Sequence, residues 1–140
     1  MLAAGLGWSA AVDMGFASRA FADGPDARLD FGALEPLVAL MQETPADKLL
    51  PQLTSKLAAG MPLQTLLQAG VLANGRSFGG EDYIGFHTLM ALGPALAMSA
   101  ELPASQQALP VLKVLYRNAS RIQAIGGVSA EALHPVAPLP

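Results

Sequence analysis

"EDYIGFHTLMALGPALAMSAE", Glu81 to Glu101, is the stretch that decides the fold. After two carboxylates it is apolar on nearly every side of a helical projection, with a single imidazole, His87, in its first half. A surface helix carries one apolar stripe, whereas a helix greasy all round is normally enclosed. The stretch is therefore predicted to be a central helix contacted by its neighbours. Gly85 and Gly93 would permit close approach, and Pro94 would kink the rod. Glu81 and Asp82 suit its first turn, where unpaired N–H groups and the helix dipole favour negative charge.

Working outward, the flanking segments also have helical periodicity. Leu34, Leu37, Val38 and Met41 recur at helical spacing, with Glu35 and Gln42 outside the stripe. Thr44-Pro45-Ala46-Asp47 reads as a helix start with Thr44 as cap, and a second helix runs from there to Gly60. Leu49, Leu50, Leu53 and Leu57 form its inner face, and Pro51 should bend it or delay its start. Pro62 opens a third helix bearing Leu63, Leu66, Leu67 and Val71, predicted to stop near Asn74-Gly75 and leave Arg76 to Gly80 as a tight loop.

Beyond the central stretch, Pro103-Ala104-Ser105 punctuates the chain. A fifth, amphipathic helix then runs to about Ile125, with Leu109, Leu112, Leu115, Tyr116 and Ile122 opposite Lys113, Arg117 and Arg121, covering the core from outside. Gly126-Gly127 stops it, and Ser129 to Leu133 adds at most one turn. No segment alternates apolar and polar residues over a strand's length. The expected class is all-α: a compact bundle of about five helices with a central apolar helix, preceded by a signal-peptide-like helix. The domains are a signal-peptide remnant (1–22), a linker (23–30), the helical domain (31–128) and a proline-rich tail (129–140).

Composition narrows the functions available. The chain has 140 residues, enough for one domain that hides roughly 70% of its unfolded surface. It is 52% apolar and only 14% charged, so some apolar surface is expected to meet a partner. Eight basic and eleven acidic residues leave a net charge of −3, the wrong sign for a phosphate backbone, and nucleic acid is not an expected partner. Without cysteine there is no disulfide, thiolate metal site or cysteine nucleophile.

Met1 to Val12 is apolar and rich in small residues, and Ala20-Phe21-Ala22 has the small-x-small pattern of a signal-peptidase site. The expected location is periplasmic or extracellular after cleavage near Ala22. The run is too short for a stable membrane span and Asp13 interrupts it. Basic residues do not precede the apolar stretch, as they would in a complete signal, so an N-terminally truncated signal is expected.

Few residues carry chemistry. Neither Glu81 nor Asp82 shares a helix face with His87, since ligands on one face need spacings of three or four. Tyr83 does share it, and Tyr83 with His87 is expected to form a buried polar pair. These two are the candidate catalytic residues and His87 the candidate metal ligand, against the plainer account of a hydrogen-bonded core histidine. His134 belongs to the tail and is expected to be solvated. Lys113, Arg117 and Arg121 are read as a solvated face with a lesser claim to an acidic partner. Arg76 beside the Gly79-Gly80 loop is a weak anion-site candidate, opposed by Glu81 and Asp82. The sequon Asn118-Ala119-Ser120 falls mid-helix and is discounted. Phosphate-binding glycine loops, serine-triad elbows and HExxH are absent.

"ETPADKLLPQLTSKLAAGMPLQTLLQAGVLANGRSFGG" followed by "GFHTLMALGPALAMSAELPASQQALPVL" resembles the N-terminal part of an uncharacterised family of bacterial exported all-helical proteins, often with twin-arginine signals and with complete chains several times longer. The likeness spans roughly 34–123, and its most specific elements are the LLPxLxxKLxxG helix and the Gly-x-His step from Gly85 to His87. It implies an exported helical module lacking its remainder. Family members carry further histidines along the same helix, where this chain has Ala97 to Ala100, which weakens any metal or haem site. The leading expectation is a structural or ligand-enclosing N-terminal module whose partner is the rest of a longer chain or another helical protein. The alternatives are an enzyme or metal- or haem-binding protein using His87 with groups from elsewhere, and a small partner-binding helical subunit. No cofactor is specified.

Overall fold

The computed structural model describes residues 28–136. The signal-like segment, the Ala22 site, most of the 23–30 linker and the end of the tail lie outside the described residues. Within them the chain is helical throughout, in five α-helices joined by tight connections: α1 (Glu35–Glu43), α2 (Ala46–Ala58), α3 (Leu63–Phe78), α4 (Tyr83–Glu101) and α5 (Leu109–Ile125). Short 3-10 turns at Gly32–Leu34, Ala104–Gln106 and Gly127–Ala130 precede α1, lead into α5 and follow it. The all-α bundle predicted from periodicity is what forms.

The core is built where the apolar stripes predicted it. Val38 and Met41 of α1, Leu49 and Leu53 of α2, Leu66 of α3, and Leu115 and Ile122 of α5 are almost completely buried. At the α2 start, Pro45 rather than Thr44 is the N-cap residue, and its carbonyl accepts from Lys48 and Leu49. Pro51 does not delay α2, which begins at Ala46 and continues past it to Ala58. The bond that its missing N–H forfeits would have gone to Asp47, and both residues are exposed to water.

α3 departs most from expectation. Asn74-Gly75 does not end it; the helix continues a further turn to Phe78 and stops at Gly79, whose left-handed φ of +58° places its N–H on the Gly75 carbonyl. Arg76 is thus a helical, fully buried residue, not part of a loop. A local signal for a turn was overridden by burial of Asn74, Arg76, Ser77 and Phe78 on the inner side of the extra turn.

The centre of the bundle is also displaced from where it was expected. α5 packs against all four other helices, with Val111 and Ile122 wholly buried, so it is an inner helix and not an outer cover. α4 packs extensively against α5 and also against α3, but only along one side. Gly85, Thr88, Leu92, Ala95 and Ser99 are buried at helical spacing, and the opposite side meets solvent. The predicted central rod is therefore a wall of the bundle. Gly85 does provide close approach: a Cβ there would lie 2.4 to 2.8 Å from three atoms of the Phe78 ring. Gly93 has no such role, being exposed with nothing near its missing Cβ.

Candidate functional site

Two polar networks lock this arrangement, and both account for residues that sequence reasoning had considered for function. The first surrounds Arg76. Its Nη1 donates to both Glu35 carboxylate oxygens at 2.8 Å and to the Leu29 carbonyl at 2.6 Å, and its Nε donates to Gln42 Oε1 at 2.8 Å. Gln42, expected on the outer side of α1, is fully buried and donates through Nε2 to Ser77 Oγ at 2.8 Å. Arg28 closes the cluster by donating to Glu131 at 2.6 Å, and that bond is the main cause that raises the Arg28 pKa above its ordinary value. Two guanidinium groups thus face the carboxylates of Glu35 and Glu131, so the cluster satisfies its own charge. Arg76 is not an anion site. The backbone N–H groups of Ala132 and Leu133 also donate to the Arg76 carbonyl, so the cluster ties both ends of the described chain to α3.

The second network joins α3, α4 and α5. Asn74 Nδ2 donates to Asn118 Oδ1 at 2.7 Å and to the Gly85 carbonyl at 2.8 Å, and the Thr88 hydroxyl lies within hydrogen-bond distance of both Gly85 O and Asn118 Oδ1. Asn118 is buried here, out of reach of glycosylation. Among the described residues no buried side-chain nitrogen or oxygen lacks a partner, so neither network leaves a polar atom aimed at a missing ligand.

At the start of α4, Asp82 is the N-cap and accepts from the Gly85 N–H at 2.7 Å. It also pairs with Arg121 of α5 at 2.6 Å. The Arg121 hydrogen bond, then that of Gly85, holds the Asp82 carboxyl below the usual carboxylate range; in return Arg121 is raised. Of the predicted basic stripe, Arg121 is therefore engaged, while Lys113 and Arg117 have no carboxylate within 4.0 Å among the described residues.

His87 and Tyr83 do form a pair, but an exposed one. Their rings lie 4.3 Å apart and tilted by 52°, and His87 Nδ1 is 2.7 Å from the Tyr83 backbone oxygen. A carbonyl oxygen only accepts, so Nδ1 carries a proton and donates. Nε2 is left without a protein partner among the described residues. The expectation of a packed core histidine is corrected on burial: His87 is exposed, and the partner of its ring is a backbone carbonyl. No three His, Cys, Asp or Glu residues cluster tightly enough to hold a metal ion among the described residues, and His134 is exposed in the tail.

Sequence reasoning missed two surface features of α4. Its outer side presents Tyr83, Phe86, Met90 and Met98 to solvent, at 78%, 47%, 59% and 58% exposure. Together with Pro94 and Ala97 they form an apolar stripe along the whole helix at spacings of three and four. Beside it, between α4 and α5, lies an open cleft of about 350 Å³. Ile84, Thr88, Ala91 and Val114 line it, Tyr83 and His87 stand on the α4 side, and Lys113 and Arg117 on the α5 side.

Comparison with known proteins finds no matching family model, no matching curated relative and no matching solved structure.

Proposed function

We propose that this domain is a helical docking module, and that the outer stripe of α4 receives an apolar helix. The observation that carries the reading is the stripe itself. Four large apolar side chains spread over about four turns of one helix are left in water, while polar and even charged residues such as Gln42 and Arg76 are buried elsewhere. Large contiguous apolar patches on a folded surface mark interaction sites, and a regular three-and-four spacing suits a second helix laid alongside. The resemblance to exported bacterial proteins with longer chains supports a reading in which that helix belongs to the remainder of such a chain. Export is supported by the apolar Met1–Val12 run and the Ala20-Phe21-Ala22 pattern. Among the described residues no helix is long and apolar enough to cross a membrane. The competing reading, catalysis or metal or haem ligation by His87 with Tyr83, is supported only by the accessible Nε2.

The isolated 140-residue chain should bury the stripe against that of a second copy. Sedimentation velocity is expected to show mass increasing with protein concentration, and Phe86→Asp combined with Met98→Asp to keep the chain monomeric with unchanged helicity. A wild-type chain that stays monomeric up to millimolar concentration would count against the stripe as a docking surface.

A further inference from the structure

We infer that the cleft between α4 and α5 is a binding site for a small amphipathic carboxylate: an apolar body with one anionic end. This does not rest on helix docking at the outer stripe: Phe86, Met90 and Met98 do not line the cleft, and Tyr83 is the only one of the four large stripe residues that does.

The cleft joins two chemistries. Its floor is apolar. Ile84, Ala91 and Val114 contribute hydrocarbon, and Thr88 contributes no free hydroxyl because its oxygen is turned inward to Gly85 and Asn118. Its rim on α5 is cationic. Lys113 and Arg117 are four residues apart and so share one face of the helix. Both are exposed, and neither has a carboxylate partner among the described residues, in contrast to Arg121 one turn further on, which Asp82 neutralises. The chain is acidic overall, with eleven acidic residues against eight basic, yet among the described residues no carboxylate forms an ion pair with either cation. An inorganic anion would leave the apolar floor wet, and a neutral hydrocarbon would leave the two cations unused. A ligand with both parts satisfies both, since charge-assisted hydrogen bonds are the strong ones and burial of the body adds the hydrophobic contribution. On the opposite wall the Tyr83 hydroxyl is free to donate to the headgroup, and His87 Nε2 to accept from a polar substituent. A volume of about 350 Å³ accommodates a body of about ten non-hydrogen atoms at the roughly 30 Å³ that a water-sized group occupies.

Decanoate is the probe, with 1-decanol as the same chain without the charge, each titrated into the full 140-residue protein by calorimetry and by amide chemical shifts. Decanoate is expected to saturate at one equivalent with shifts centred on Ile84, Ala91 and Val114, and to bind about tenfold or more tightly than decanol. Lys113→Gln with Arg117→Gln, both at exposed positions that do not support the core, should remove that preference while leaving the spectrum of the free protein folded. The Phe86→Asp, Met98→Asp chain should bind decanoate like the wild type. The assignment is overturned if decanol binds equally well, if the double glutamine variant keeps the preference, if the Phe86→Asp, Met98→Asp chain loses binding, or if neither compound binds. It is equally overturned if the shifts centre on Leu50, Leu112 and Tyr116. Those residues line a second apolar depression that shares only Lys113 with this one.

Discussion

Arg76 has no exposed surface at all, and a charge so placed is tolerable only while its partners stay in register. Those partners come from the stretch before α1, from α1 itself and from the segment after α5, so one side chain couples the two ends of the described chain. Arg76→Met should therefore lower the free energy of unfolding by about 3–5 kcal/mol in urea titrations, because the wholly buried Gln42 and the partly exposed Glu35 each lose their Arg76 donor. A loss below about 1 kcal/mol, the median worth of a surface pair, would show that the cluster is not cohesive. None of this was legible in the sequence. Asn74-Gly75 is a strong local turn signal, and the groups that override it sit 34, 41 and 55 positions away from Arg76. The Gly-x-His step had a different kind of ambiguity. Gly85 is required by the Phe78 ring packed on it, not by the imidazole two residues later.

At the level of single helices, Glu81 and Asp82 were both read into the first turn of α4, but neither lies there: Asp82 is the N-cap and Glu81 precedes it. Asp82 caps the helix and also clamps it to α5 through Arg121, while Glu81 is exposed. Because its folded-state pKa is depressed, the stabilisation from Asp82 ionisation is fully present above the ordinary carboxylate value. It is lost as the pH falls through the folded-state value. Asp82→Asn keeps a capping oxygen and removes the charge. The wild type's stability advantage over it should thus be constant near neutrality, shrink once the pH drops below about 4, and vanish in stronger acid. Thermal melts of both proteins across that range check it; an advantage unchanged with pH would contradict the pairing. The apolar character of α4 was legible, its position was not. A helix greasy on every side is what enclosure produces, and it is also what a wall awaiting a partner produces. Composition alone does not separate the two, whereas the buried rows of α3 and α5 do.

On the scale of the whole molecule, the helix count and the apolar stripes of α1 and α2 were readable from spacing, because each is a local pattern, and that of α5 in part: Leu115 and Ile122 are buried, but Leu109 and Tyr116 are exposed. Which helix occupies the centre depends on how much surface each neighbour covers, and that is a property of the assembled bundle. The result is a domain whose interior is closed, with every buried side-chain polar atom of the described residues paired, and whose one long apolar stripe faces outward. The central claim is that Met90 and Met98 belong to that outward stripe until another helix covers them. Methionine oxidation by dilute peroxide, followed residue by residue by mass spectrometry, tests it directly, since the rate follows solvent access to sulfur. At low protein concentration Met90 and Met98, at 59% and 58% exposure, should oxidise quickly while Met41, at 2%, stays protected; raising the concentration should slow the first two only. Met90 and Met98 as slow as Met41 in the dilute protein would place α4 inside the molecule and contradict the account.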